Sequence, residues 1–420
     1  MDHKDSPHNS AAPFRAIYEQ YVEEASFLWL MRSFAVDQPH YNAEDVAELE
    51  QRIQGHLNGL ITAPDLAWEI CDQALELEGP GELFVAAYVA FTSNLQAHIQ
   101  KVVEVGLATD ICFAGLVSVF GWLPATLSRP WIERLLHSKD LRHKYLALAG
   151  CSIRRENPGE ILAQLLQRQD CIRHKKLYMR ALRLVGELKR HDLVAALTRA
   201  MQHEDSDVVF WASWSAVLLG DMTAISTLES YVFTPGSYQD LAIDMVFRVT
   251  PVDQSRQLIV RLAENPEQQR SVIRAVGVLG DPHAIDWLIA KTQDTKLTRL
   301  AGEAFSMITG IDLEVNQLNQ AEPDDYQPVP IEDVADDNVA LDDDENLPWP
   351  NPAALGLFWK DIRQQFINGQ RYFLGAQIEP GMLTAHLRSA TQRKRHAAAL
   401  ELALRDPAQV LLNTRSKESA

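Results

Sequence analysis

The chain has 420 residues, of which 46% are hydrophobic, and a formal net charge of −18 at pH 7. Its first ten residues are polar and no long apolar run follows, so we expect neither a signal peptide nor a membrane-spanning segment. The four cysteines lie far apart and have no CxxC spacing, which favours reduced, buried thiols over disulfides or a redox pair. Together these features predict a cytoplasmic protein with a large core.

Residues 1–110 are predicted to form an N-terminal helical bundle. Apolar residues recur at three- and four-residue steps over 14–29 and again over 46–60. Asn42 and Asp45 have the spacing of a capping box before the second of these helices. Each helix presents one apolar face, so the bundle is expected to cap the segment that follows.

Residues 111–316 carry a small residue that recurs about every 30 positions. A repeat of this length is a pair of helices that cannot bury its apolar face alone, so neighbouring copies stack into a continuous core. No alternating apolar run occurs here, which argues against strands. The region therefore predicts an all-α fold, a HEAT-like α-solenoid. The aligned positions, spaced by 29, 36, 34, 30, 30 and 30 residues, are Gly121, Gly150, Gly186, Gly220, Thr250, Gly280 and Gly310.

The last hundred residues divide by charge. Between Arg299 and Lys360 there is no lysine or arginine, and acidic residues crowd 317–346, which predicts a mobile acidic linker because such a segment buries too little apolar surface to offset its ordering entropy. Residues 347–420 contain several large aromatic side chains and a helical pattern from Pro380 to Leu404. We expect this C-terminal helical segment to dock on the repeats.

A resemblance to a known family is carried by five segments: FLWLMRSFAV and YNAEDVAELEQRIQGHLNGL near the N-terminus, LPWPNP after the acidic stretch, and RYFLG and TQRKRHAAALELAL near the C-terminus. Together they resemble a family of proteobacterial HEAT-like repeat proteins that have no established biochemical activity. The likeness spans almost the whole chain, and Thr250 is its clearest departure because the other repeats have glycine there. It implies a genomic neighbourhood of type VI secretion genes for spike proteins, effectors and adaptors, and it supplies no catalytic residues.

Motifs for enzymatic chemistry are missing from the sequence. There is no GxxxxGK[ST] loop, no GxGxxG after a strand and no GxSxG elbow. The thirteen histidines include no pair at helical i, i+3 or i, i+4 spacing that could chelate a metal. We therefore predict a protein that is not an enzyme and has no catalytic, cofactor or metal site.

The sharpest candidate site is a basic stripe, residues 139–190, with 13 basic and five acidic side chains. Three interpretations stay open: a solvated helical face, docking of the acidic linker or of an acidic partner protein, and nucleic-acid binding. The last is disfavoured because the rest of the chain is strongly negative and the stripe has only two tyrosines for base stacking. The candidate protein-binding residues are Arg142, Lys144, Arg173, Lys175, Lys176, Arg180 and Arg183.

These features lead to one main hypothesis and two alternatives. The main one is a protein-binding scaffold that serves type VI secretion as an effector adaptor or chaperone, with a secreted effector or spike component as partner and no membrane. One alternative is an immunity protein that wraps a toxin and covers its basic cleft with acidic surface. The other is a repeat-fold lyase or glycosylase, which needs a carboxylate or histidine in a concave pocket.

Overall fold

The computed structural model describes residues 11–324, 326 and 342–417 of the chain. These residues group into two compact units, one within 1–37, 41–184 and 413–420 and the other within 38–40 and 185–412. α-Helices dominate both units, which confirms the predicted all-α class. The predicted domain boundaries at residues 110, 316 and 346 stay predictions, and the boundary between the units falls after Leu184, inside a helix.

The helices of the first unit pack as successive layers. Alternate helices α4, α6 and α8 are in contact, as in stacked helical hairpins, and α1 packs on α2, α3 and α4. The predicted capping box is confirmed, because Asn42 Oδ1 accepts from the Asp45 amide while Asp45 accepts from the Asn42 amide. The helices are α1 (Ala11–Ala35), α2 (Ala43–Leu60), α3 (Pro64–Ala74), α4 (Pro80–Ser93), α5 (Gln96–Gly106), α6 (Asp110–Trp122), α7 (Ala125–Leu136), α8 (Leu141–Arg154), α9 (Glu160–Leu165), α10 (Gln169–Arg173) and α11 (Lys175–Glu187), which contains the unit boundary.

The second unit repeats the same arrangement. Its alternate helices α13, α15, α17 and α19 each contact the next, and α22 packs against α13 and α15. Its elements are α12 (Val194–Ala200), α13 (Ser206–Leu218), α14 (Ile225–Val232), α15 (Gln239–Val249), α16 (Val252–Ala263), α17 (Gln269–Leu279), α18 (Ile285–Lys291), α19 (Thr298–Thr309), α20 (Pro352–Ile362), α21 (Pro380–Ser389), α22 (Gln392–Arg405) and the antiparallel strands β1 (Tyr372–Phe373) and β2 (Ala376–Gln377).

The recurring glycines have two different roles. Gly280 and Gly310 adopt the left-handed conformation, with φ of 74° and 72°, and end α17 and α19. Gly186 lies inside α11, where an added Cβ atom would approach within 2.7 Å of the Ser215 Cα atom. The small residue is required there because the two helix backbones lie so close together.

The C-terminal segment is built into the core of the second unit. Leu355 and Trp359 of α20 share a hydrophobic cluster with Ile273, Leu288 and Phe305 of the last repeats. Burial of large apolar side chains in such a cluster is the dominant stabilising term for a helix of this kind.

Two helix predictions are wrong in detail. The helix predicted from Pro380 to Leu404 is two helices, because the backbone is extended at Ala390 and Thr391 and the Arg395 guanidinium satisfies the freed Leu387 carbonyl at 2.7 Å. In α1, Leu28 is buried as expected, whereas Phe14, predicted on the same face, is 64% exposed. The helix is apolar on more than one face, so periodicity alone does not identify the buried one.

Candidate protein-binding surface

The N-terminal ends of α6, α8 and α11 lie side by side in the first unit. Near the start of α11, Lys176 Nζ forms an ion pair with Asp110 Oδ1, the first residue of α6, at 2.5 Å. Near the starts of α6 and α8, the Phe113 and Tyr145 rings stack with centroids 4.6 Å apart. In the connection between α8 and α11, Arg168 lies near enough to Lys144 of α8 to act on its ammonium electrostatically.

We call this place the basic edge. Its members share solvent exposure and lie at or just before the starts of α8, α10 and α11. Aligned backbone amides at helix N-termini add positive potential to that of the side chains. The basic edge consists of Lys139, Arg142, Arg168, Arg173, Lys175 and Lys176.

Three carboxylates lie at the basic edge. Arg142 holds Asp140 at 2.8 Å, and its hydrogen bond lowers the pKa of that carboxyl group. Arg168 pairs with Asp170, and the hydrogen bond between them is the main reason that the pKa of the Asp170 carboxyl group falls to about 2. Asp110 is the third, paired with Lys176. Six basic groups against three carboxylates leave the edge net positive, a surface suited to an anionic partner.

Three of the seven candidate binding residues do not belong to the exposed edge. Lys144 is 5% exposed and its ammonium donates to the Leu136 carbonyl, so its inclusion as a binding residue is wrong. Burial lowers the pKa of that ammonium. Arg180 and Arg183 are half-buried, and Arg180 Nη1 donates to Ser152 Oγ at 3.1 Å, which ties α11 to α8. The stripe therefore combines structural and exposed cations, which the residue types alone do not distinguish.

The acidic segment has its own partners in the second unit. Asp344 is 4% exposed and accepts from Arg270 through both oxygens, at 2.7 and 2.8 Å. Asp342 pairs with Arg299 and accepts from the Tyr326 hydroxyl at 2.7 Å. Docking of the linker on the basic stripe is thus wrong for these two carboxylates, while residues 325 and 327–341 lie outside the described residues.

Backbone hydrogen bonds join the first residues of the acidic segment to those that follow it. The Gln320 amide donates to the Trp349 carbonyl at 2.8 Å, and the Asn351 amide donates to the Leu318 carbonyl at 2.7 Å. Arg299 lies over the Trp349 ring at 4.7 Å. The predicted mobile linker is therefore held in place at its described ends by the LPWPNP element.

The RYFLG run docks on the ends of two repeat helices in the second unit. The Tyr372 amide donates to the Gly280 carbonyl at 2.8 Å, and the Leu374 amide donates to the Met307 carbonyl at 2.7 Å. The carbonyls at a helix C-terminus have no partner within the helix, so this short hairpin satisfies groups that need one. Local sequence patterns do not predict the two strands of this run or its role, because both depend on its contacts with distant helix ends.

Neither a metal site nor a membrane-spanning helix occurs among the described residues. Across 11–324, 326 and 342–417 there is no group of three His, Cys, Asp or Glu residues that could hold a metal ion. None of the helices in these ranges has both the length and the apolar character to span a bilayer. A pocket of about 190 Å³ in the first unit contains Asp72, whose Oδ1 lies 2.5 Å from Lys101 Nζ in an ion pair.

The fold and this surface define an all-α helical-repeat protein with an exposed basic edge. No protein-family model matches the chain, and no curated protein matches it. A solved structure of an engineered protein from the Northeast Structural Genomics Consortium aligns over 93% of this chain and 99% of its own, with 14% sequence identity and a TM-score of 0.32. A likeness at that TM-score carries no argument about function.

Proposed function

We propose that this protein is a non-enzymatic helical-repeat scaffold that binds an acidic surface of a partner protein through the basic edge. The observation that supports this function is the gathering of six exposed basic side chains at the ends of neighbouring helices, with three carboxylates among them. Each added carboxylate of a partner gains charge-assisted hydrogen bonds there. The resemblance to proteins encoded beside type VI secretion genes favours a narrower role, an adaptor or chaperone that holds an effector or spike component.

An acidic protein fits this edge better than a nucleic acid does. Tyr145 stacks on Phe113 and Tyr178 is buried, so neither aromatic ring of the stripe is presented for base stacking. The net charge of −18 opposes the approach of a polyphosphate chain. A compact carboxylate cluster needs no aromatic ring for stacking. It interacts mainly with the nearby basic side chains of the edge, because charges farther away are screened by salt.

Charge reversal tests the proposal. The chain with Arg173→Glu, Lys175→Glu and Lys176→Glu is compared with a matched control, Lys360→Glu, Arg363→Glu and Arg388→Glu, at three exposed positions of the second unit. The partner is captured with the wild-type chain from native cytosol, identified by mass spectrometry, purified and titrated against all three proteins. We expect the first variant to bind roughly tenfold or more weakly, since each exposed pair is worth about 0.2–1 kcal/mol and reversal adds repulsion.

Salt dependence and survival assays complete the test. Wild-type affinity should fall as salt is raised, and the control variant should keep it. Equal binding by the edge variant and the wild type, without a response to salt, would leave the edge as a solvated face. The narrower role is tested in cells. Loss of an adaptor should prevent effector delivery without affecting survival. If the protein instead rescues cells that express the toxin alone, it is an immunity protein.

A further inference from the structure

Residues 413–417, the last ones described, pack against α1, α2, α6 and α8 of the first unit, and we call the surface that they cover the tail groove. Asn413 Nδ2 donates to the Ile153 carbonyl of α8 at 3.0 Å. Arg415 Nε donates to Asp37 Oδ1, just after α1, at 2.6 Å. These partners are more than 250 residues away along the chain, so the position of the tail is set by tertiary contacts and not by local structure.

One member of a buried ion pair donates a hydrogen bond to the backbone of the tail. Arg32 of α1 donates to Glu50 of α2 through Nε at 3.0 Å and Nη2 at 2.6 Å, and both side chains are buried. The same Arg32 Nη2 donates to the Arg415 carbonyl at 2.9 Å. Because the pair is fixed in place, the donor is oriented before any segment enters the groove.

A second position in the groove holds an ammonium group. Lys417 Nζ donates to Gln54 Oε1 at 2.7 Å and lies 4.6 Å from the centre of the Trp122 ring. A cation over an indole face gains most when it is partly desolvated. Burial lowers the pKa of this ammonium, Glu50 opposes the shift and Arg32 adds to it, so the ammonium is partly desolvated and has one carboxylate nearby.

The tail itself contributes little that a foreign segment could not replace. Residues 413–417 are Asn, Thr, Arg, Ser and Lys, all polar, and none of them is fully buried. The preceding Leu412 is exposed, so no large apolar side chain next to the tail anchors it. Hydrogen bonds, an ion pair and a cation–π contact hold the tail, and another chain with the same groups would make these contacts equally well.

We propose that this tail groove is a binding site for an extended segment of a partner protein that carries arginine and lysine two residues apart, and that residues 413–417 occupy it in the isolated chain. In the tail groove, Arg32 binds a main-chain carbonyl and Asp37 binds the guanidinium of the same residue. Gln54 and Trp122 bind an ammonium group two residues later. The surplus of acidic residues in 1–138, net −12, attracts a basic segment. The tail groove does not depend on the basic edge, and it binds positively charged groups where the basic edge binds negatively charged ones.

The test uses a fluorescein-labelled peptide of residues 411–417 and the chain truncated after Leu412. We expect saturable binding to the truncated protein, and at least about tenfold weaker binding of the peptide with Arg415→Ala and Lys417→Ala. The full-length chain should show no binding in the same range, because a tethered tail has an effective concentration in the millimolar range. Circular dichroism and a thermal melt establish that the truncated chain is folded.

A second protein keeps the test decisive if truncation unfolds the chain. Full-length protein with Arg415→Ala and Lys417→Ala retains its length but loses both cationic contacts, so it should bind the wild-type peptide at least about tenfold more tightly than the unaltered chain does. Absence of peptide binding to these folded variants, or equal binding of both peptides, overturns the proposal. A full-length dimer that truncation converts to a monomer also overturns it, since the groove would then hold the tail of a second copy.

Discussion

Arg371 and Glu401 form a bidentate ion pair in the second unit, with Nη1 and Nη2 at 2.9 and 3.0 Å from the two carboxylate oxygens. The same guanidinium donates to the Leu279 carbonyl at 3.0 Å and to the Arg248 carbonyl at 2.6 Å. One side chain thus satisfies carbonyls at the ends of α15 and α17 while it binds α22. Burial lowers the pKa of Arg371 and Glu401 opposes that shift, which makes Glu401 necessary for a buried cation.

Removal of Glu401 should therefore be strongly destabilising. Glu401→Ala leaves Arg371 and Arg248 without their shared carboxylate, and a broken buried pair costs on the order of 3–5 kcal/mol. Denaturant unfolding measures the change, with Glu379→Ala at an exposed position as control. A loss of free energy equal to that of the control would mean that the pair contributes nothing beyond a surface contact.

The repeat register makes a prediction about packing. Leu279, which precedes the terminating Gly280, is 2% exposed, so Leu279→Ala should lower the free energy of unfolding by about 2–5 kcal/mol through lost burial and a residual cavity. Calorimetry compares it with Val260→Ala on the exposed side of α16. Two variants of equal stability would place Leu279 outside the core and remove the support for the alignment.

The four cysteines should be inert in the folded protein. All four thiols are buried, and burial raises the pKa of Cys71 and Cys151 to about 12, which suppresses the reactive thiolate. We expect Ellman's reagent to titrate four thiols in guanidinium chloride and to react at least about 100-fold more slowly under native conditions. Fast modification of any one thiol in the native protein contradicts this.

Lys189 should make stability depend on pH in the alkaline range. Its ammonium donates to the Leu218 carbonyl and, at 2.6 Å, to the Ala403 carbonyl, and burial lowers its pKa to about 8. Between about pH 8 and the unfolded pKa near 10.4 the unfolded chain binds more protons than the folded one, so the free energy of unfolding rises with pH. Below pH 8 the lysine is charged in both states and its effect is constant.

The Lys189→Met variant isolates this effect. Unfolding free energies of both proteins are measured at pH 7 and pH 10, and the wild type should gain stability relative to the variant as pH rises. Arg190→Met serves as a control for loss of a neighbouring cation, because arginine does not titrate in this range. A difference between wild type and Lys189→Met that stays constant with pH would mean that Lys189 keeps an ordinary pKa.

The sequence determined the class of the fold because helix formation follows local rules. The capping box at Asn42 and the helix ends at Gly280 and Gly310 depend on residues within four positions of each other, and the capping box was found where predicted. The charge segregation was equally visible, since it needs only residue counts.

Only the tertiary structure decided which residues of those patterns are available to a partner. Lys144 and Lys176 are the same residue type in the same stripe, yet one is buried against a carbonyl and the other is exposed. Arg371 meets Glu401 thirty residues away, and Arg32 meets the Arg415 carbonyl across 383 positions. Burial and long-range pairing depend on how helices pack, and packing energy is summed over many contacts that no local pattern records.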